Sequence, residues 1–273
     1  EGDSWKQVGG DIDGEAKDDL SGYSVSLSAD GNRVAIGAYG NDGGGINSGH
    51  VRVYDLAGDT WNQVGDDIDG ETGLVFLYNW YGYYMGHEAG DHFGYSVSLS
   101  ADGSRVAIGA YSNDAAGTRS GHVRVYGLVG GAWRQLGGDM DGEARYDYSG
   151  YSVSLSANGT RVAIGARGND GAGSASGHVR VYEFEGDSWK QVGGDIDGEA
   201  RGDQSGWSVS LSADGTRVAI GASGWLSVHL TTMAETSTAA MYASTSLKQT
   251  LGNSWVATLM ARRTGISPAR ASR

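Results

Sequence analysis

The stretch Ser21–Asp42, SGYSVSLSADGNRVAIGAYGND, returns with few changes at Phe93–Asp114 and Ser149–Asp170, and in shortened form at Ser205–Gly224. A chain that repeats itself in this way folds as equivalent units, each burying its apolar face against the next. The first three copies run on into SGHVRVY, ending at Tyr54, Tyr126 and Tyr182. A Trp-x-Gln segment follows at Trp61, Trp133 and Trp189, then an Asp-x-Asp-Gly-Glu turn, and the chain itself begins inside that last element, at Trp5–Glu15. The spacing is 56 residues from Tyr95 to Tyr151 and again to Trp207, but 72 from Tyr23 to Tyr95, so the first unit carries a 16-residue insertion, Thr72–His87. A unit of this length containing several short strands matches a propeller blade better than a helical solenoid repeat.

Each unit predicts four strands. In SVSLS, Val25 and Leu27 share one face and Ser24, Ser26 and Ser28 the other; RVAIGA sets Val34 and Ile36 against Ala35 and Gly37; HVRVY sets Val51 and Val53 against Arg52. Alternation of branched residues with a period of two is the strand signature. The fourth strand, around Trp61-Asn62-Gln63-Val64, is shorter. Asp30-Gly31, Asp102-Gly103, Asn158-Gly159 and Asp214-Gly215 fall between the first two strands, where a tight hairpin requires positive φ. Ala35, Gly37 and Ala38 leave little bulk on one face of the second strand, so a neighbouring sheet can come close and the Trp and Tyr of each unit can fill the gap. The expected fold is all-β: a partial or open β-propeller of four-stranded antiparallel blades about 56 residues apart.

Composition narrows the function. Against 48 Gly there is one Pro, which suits many tight turns. A formal charge of −13 argues against nucleic acid and anionic membrane surfaces, both of which need clustered Lys and Arg. With no Cys there is no disulfide framework, thiol nucleophile or Cys-type zinc site, and no apolar run reaches the length of a membrane helix. The chain opens at Glu1 without a signal segment, which reads as a cut in a longer protein.

At Phe93-Gly94 and Gly109-Ala110 the repeat resembles the FG-GAP motif known from the propeller of integrin α-subunits, in a bacterial and algal variant reading SVSLSADGxRVAIGA…SGHVRVY. The resemblance covers nearly all of residues 1–224. It implies a propeller, typically of seven blades, displayed outside the cell and used for binding a protein or glycan. Blades of this family often hold Ca²⁺ in an acidic hairpin. Here the matching stretch, Ser26-Leu27-Ser28-Ala29-Asp30-Gly31, has serines where carboxylates belong, so that site is lost.

His50, His122 and His178 occupy one repeated position, which reads as framework, because a catalytic site brings unlike residues together once. The turns containing Asp11 and Asp13, Asp67 and Asp69, Asp139 and Asp141, and Asp195 and Asp197 offer alternate carboxylates that could collect Ca²⁺, helped by Asp18, Asp91, Asp147 or Asp203. The alternative is a turn in which Asp caps backbone amides and Gly supplies positive φ. Ligand contacts are expected where the repeats disagree, in loops on a rigid scaffold: Tyr39, Tyr111 and Arg167 after the Gly-Ala, Arg119, and Tyr146 with Tyr148. The function expected is a non-catalytic extracellular or cell-surface adhesion scaffold, with no enzyme activity. The alternatives are a glycan-cleaving propeller, which would need a unique acid/base pair, and a degenerate fragment.

Two segments break the pattern. Residues 225–273 hold five Lys/Arg, one Glu and the only proline, Pro268, which reads as a disordered tail. A sharper reading is out-of-frame translation. In a frame opening on each codon's third base, Met233-Ala234, Trp255-Val256 and Met260-Ala261 each force Gly and Met241-Tyr242 forces Val, at spacings that match SGHVRVY and the following turn. The insertion TGLVFLYNWYGYYMGH is either an aromatic binding loop or retained non-coding sequence.

Overall fold

The alternation of branched and small residues becomes four strands lying side by side in the order of the chain. In the computed structural model the residues described are 4–71, 76–78, 84–87, 90–223, 228–233, 242–250 and 254–261, with side chains over 4–71 and 90–223. The first sheet comprises Ser24–Leu27, Arg33–Ala38, His50–Ala57 and Thr60–Gln63, each antiparallel to its neighbour. The second comprises Ser96–Leu99, Arg105–Ala110, His122–Val129 and Ala132–Gln135, and the third Ser149–Leu155, Arg161–Ala166, His178–Glu185 and Ser188–Gln191. In each of the three, a two-residue strand from the Asp-x-Asp turn (Ile68–Asp69, Met140–Asp141, Ile196–Asp197) pairs back on the start of the third strand. Among the described residues there is no helix.

A fourth sheet begins with Ser208–Leu211 and Arg217–Gly221 and continues through Val228–Met233, Tyr242–Thr250 and Ser254–Ala261. There the described backbone continues the sheet, and Val228–Met233 takes the position that HVRVY holds in the other units. Within the insertion, Phe76–Tyr78 pairs with Tyr84–His87, and its aromatic side chains lie outside the described residues.

Register decides what each face does. Val25 opposes Ile36 and Leu27 opposes Val34, so these four share a face; Ala35 opposes Val53 and Gly37 opposes Val51 on the other. The core therefore sits between sheets. Ala35, Val51 and Val53 of the first sheet pack on Leu99, Val106 and Ile108 of the second, with Tyr126 and Trp133 closing the edge. Ala107, Val123 and Val125 meet Val153, Leu155, Val162 and Ile164 in the same way, and Ala163, Val179 and Val181 meet Val218 and Ile220. Each such Val, Ile or Leu contributes roughly 1.5–3 kcal/mol by leaving water.

The serine faces are bonded across the same seams. Ser26 Oγ accepts from Leu99 N, Ser98 Oγ from Leu155 N and Ser154 Oγ from Leu211 N, all at 2.9 Å. Small residues are required here: a Cβ on Gly109 would lie 2.1 Å from the Gly150 carbonyl oxygen of the next sheet. The glycine of the Asp-x-Asp-Gly-Glu turn has the same reason and not the one its turn setting suggests. Gly70, Gly142 and Gly198 do not adopt positive φ, but a Cβ on Gly142 would sit 2.1 Å from the Ser120 carbonyl oxygen.

The described sheets form a propeller-like fan that is not closed. Leu99 and Leu155, both 7% exposed, are covered by the preceding sheet, whereas their counterpart Leu27 is 60% exposed and Val25 62%. The N-terminal segment covers part of this first face. Ile12 packs on Val34, Ile36 and Tyr54, and Trp61 Nε1 donates to the Val8 carbonyl as Trp133 Nε1 does to Val64 and Trp189 Nε1 to Leu136.

Candidate functional site

The sheets come close along their first strands, and the residue just before each of those strands is aromatic: Tyr23, Tyr95 and Trp207, with Tyr151 at the matching place in the third sheet. Their ring centroids step from one unit to the next at 4.9, 4.9 and 5.1 Å, and the Tyr23 hydroxyl donates to that of Tyr95 at 3.0 Å. Tyr39 meets Tyr23 and Tyr95 edge-on at 4.6 and 5.4 Å, and Tyr111 meets Tyr95 and Tyr151 at 4.4 and 5.8 Å. In the third unit the equivalent residue is Arg167. Its guanidinium carbon lies 4.3 Å from the Tyr151 ring centre, 4.8 Å from Tyr148 and 5.0 Å from Trp207. Burial pushes the Tyr95 hydroxyl well above the ordinary tyrosine range and raises that of Tyr111.

A second set of variable positions completes this rim. Leu20, His92, Tyr148 and Gln204 stand at one repeated position, and all four hold left-handed backbone, φ 57, 56, 56 and 51°. Left-handed backbone at non-glycine residues costs about 1 kcal/mol or more each and tends to gather at functional surfaces. In three units this residue touches the variable residue after Gly-Ala: His92 stacks on Tyr111 at 5.2 Å with planes 5° apart, Tyr148 lies under Arg167, and Ser223 Oγ donates to Gln204 Oε1. Burial, reinforced by the charge of Arg119, pulls His92 down to about 4, so it is a neutral ring at pH 7.

Of the six residues expected to contact ligand, Tyr39, Tyr111, Tyr148 and Arg167 are therefore in one cluster. Tyr146, 6.3 Å from Tyr148, and Arg119, whose carbonyl accepts from Tyr148 N, stand at its margin. The four aromatics at 23, 95, 151 and 207 are the part that sequence reasoning missed, because their constancy reads as framework. The disagreement of Leu20, His92 and Gln204 among the repeats was the signal that could have found the rest.

The repeated His and the acidic turns meet elsewhere, at the seams between sheets. Arg124 donates to Asp139 through Nε at 2.9 Å and Nη2 at 2.7 Å, and also reaches Glu71 from the turn before. Arg180 does the same with Asp195 and Glu143, and Arg52 with Glu15. His50, His122 and His178 lie behind them, with Nδ1 at 3.8, 3.9 and 3.7 Å from Asp67, Asp139 and Asp195. Burial, with the neighbouring arginine adding to it, lowers His122 to about 4 and lowers His178. Ligand atoms of Glu15, His50 and Asp67, of His122, Asp139 and Asp141, and of Glu143, His178 and Asp195 each lie within 4.8 Å of one another.

These sets have the donor chemistry to hold a divalent cation, but a cation would have to displace or face the guanidinium that already carries the positive charge. Asp67 and Asp195 also accept from Gln63 and Gln191, and Asp11 from Gln7. Burial raises Asp69 and Asp141; Asp197 and Asp13 sit in the same turn positions. The helper carboxylates Asp91 and Asp147 accept from Asn113 and Asn169 at 2.9 and 3.2 Å and so lock the Asn-Asp loops. In the first hairpin, Asp30 accepts from Ser28 Oγ at 2.6 Å and Asn32 N at 3.0 Å, closing the turn without a metal ligand set.

An FG-GAP repeat family model matches residues 86–126 and 140–182, which span most of the second and third sheets. Among solved structures, a Bacteroides uniformis protein assigned as a 6-phosphogluconolactonase is similar at 11% identity over 88% of this chain and 85% of its own, with a TM-score of 0.43. Hydrazine synthase of Kuenenia stuttgartiensis is similar at 11% identity over 92% of this chain and 69% of its own, with a TM-score of 0.42. No curated protein matches this chain.

Proposed function

From a chain built of FG-GAP repeats, we propose a non-catalytic binding scaffold, displayed outside the cell, that takes a protein or glycan ligand on its aromatic rim. One observation carries this reading. The residues that differ between units touch one another in pairs, His92 with Tyr111, Tyr148 with Arg167 and Gln204 with Ser223, beside an aromatic row that stays constant. Constant aromatics give a rigid apolar surface of low conformational entropy, and the variable pairs give each unit its own chemistry. The carboxylates support the same reading, because they recur unit by unit at the seams and are engaged there by Arg52, Arg124 and Arg180. A glycan-cleaving site would instead use a unique acid/base pair in a cleft.

Adhesion and an extracellular location rest on the family resemblance, and fractionation of the producing cells tests the location. The binding reading is tested by probing a glycan array and intact cells with the full chain and two variants. Tyr39→Ala combined with Tyr111→Ala should abolish capture. Asp30→Asn combined with Asp102→Asn, in the hairpins between the first two strands, should preserve it. Capture that survives the tyrosine changes in a folded protein sinks the rim as the binding surface.

A further inference from the structure

The rim arginines are held by aromatic rings or left open to solvent, where the arginines of the seams are held by carboxylates. At the seams and strand ends, Arg33 pairs with Asp55, Arg124 with Glu71 and Asp139, Arg161 with Glu183, and Arg180 with Glu143 and Asp195. Arg167 instead lies among three aromatic rings, its Nε is buried with no hydrogen-bond partner, and among the described residues no carboxylate pairs with it. On the same rim, Arg145 lies 4.8 Å over the Tyr146 ring and donates to the Tyr146 hydroxyl, and Arg119 is exposed beside His92 and Tyr111.

A guanidinium held this way is placed to recognise an anion. Aromatic walls fix its plane and exclude water, and the terminal nitrogens keep the fork that matches a carboxylate with two parallel bonds. With 33 acidic residues against 20 basic, the chain repels anions over most of its surface, so three unpaired arginines on one rim mark a local exception. The rings beside them, Trp207 at 42% exposure, Tyr146 at 43% and Tyr23 at 53%, give open apolar surface in a row whose constant members step at 4.9, 4.9 and 5.1 Å. A ligand made of successive rings, each with an apolar C–H face and a carboxylate at its edge, suits both features together.

We infer that the rim binds an acidic oligosaccharide, a glycan of uronic-acid type, with one carboxylate on Arg167, the sugar ring beside it against Trp207 and Tyr151, and neighbouring carboxylates drawn by Arg119 and Arg145. This rests on the rim being the binding surface and adds the ligand's class. An acidic peptide would satisfy the arginines but has no use for the row of ring faces.

Titration calorimetry with the full chain tests it, using a tetrasaccharide of galacturonic acid, the same tetrasaccharide with its carboxyls methyl-esterified, and tetraglutamate. The acid form should bind about tenfold or more tighter than the ester, the factor expected of one charged hydrogen-bonded pair. Arg167→Gln should remove most of the acid form's advantage over the ester, with Arg167→Lys in between, and adding Arg119→Gln and Arg145→Gln should remove the rest. Trp207→Phe should keep the preference for acid, and thermal melts confirm that each variant is folded. Equal binding of acid and ester, a preference that Arg167→Gln leaves undiminished, or tighter binding of tetraglutamate overturns the inference. If neither saccharide binds while the tyrosine variants above still abolish capture, the acidic-glycan inference falls and the binding surface stands. If those variants leave capture intact, the binding surface itself is wrong.

Discussion

Gly109 and His122 show how little freedom a single position has when it faces the next unit. A methyl group on Gly109 would meet the Gly150 carbonyl oxygen at 2.1 Å, with backbone on both sides of the seam, so neither partner can rotate away. Gly109→Ala should cost about 2 kcal/mol or more, whereas Gly138→Ala, where nothing lies within 4 Å, should stay within about 0.5 kcal/mol; urea midpoints check both. His122 is 1% exposed and held neutral, its folded-state value lowered from 6.5 to about 4. Below pH 6.5 the unfolded chain binds a proton that the folded one refuses, so stability falls as pH drops and levels off only near pH 4. For this group alone the loss is on the order of 3 kcal/mol. Denaturation at pH 7, 5.5 and 4.5 should show it, and His122→Gln should flatten that slope. An unchanged slope in the variant would mean that another group carries the acid sensitivity.

The strands and hairpins were legible in the sequence because their causes are local. A period of two in SVSLS and RVAIGA sets both the strand and its face, and Asp-Gly or Asn-Gly sets the hairpin, where Gly31, Gly103, Gly159 and Gly215 all take positive φ. The rim was not legible as a whole, since Tyr23 and Tyr95 lie 72 residues apart and nothing local says that their rings touch. Gly142 misled for a related reason: positive φ and close backbone approach select the same residue type, and only the fold tells them apart. At the seam between sheets the element-scale question is what the acidic turns are for. If Arg124 is their counter-charge, Arg124→Met should leave Glu71 and Asp139 facing each other and cost about 2 kcal/mol, a value moderated by Glu71 being largely exposed. Asp139→Asn in that background should recover part of the loss, and a double-mutant cycle measures it. The same assignment expects that removing Ca²⁺ with a chelator leaves the melting midpoint where it was. A drop restored by Ca²⁺ would return the turns to the role of a metal site.

Among the described sheets, stability comes from seams, and because the fan does not close the first sheet presents an apolar face without a neighbouring sheet. Leu27, Leu99 and Leu155 are the same residue at the same place in three successive units, yet Leu27 is 60% exposed and the other two 7%. The hydrophobic term is set by the sheet next door and not by the unit's own sequence. Leu99→Lys should therefore unfold the seam between the first and second sheets, because a charge enters a site packed between Val53, Val106 and Ile108. Leu27→Lys should leave the melting midpoint within a few degrees of the starting protein. It should also raise solubility, since Val25 and Leu27 are the exposed branched residues of the open face and such faces self-associate. Light scattering against concentration separates the two effects. If Leu27→Lys unfolds the chain as Leu99→Lys does, then the first sheet is covered in solution, and the face that looks open here is already a packed interface.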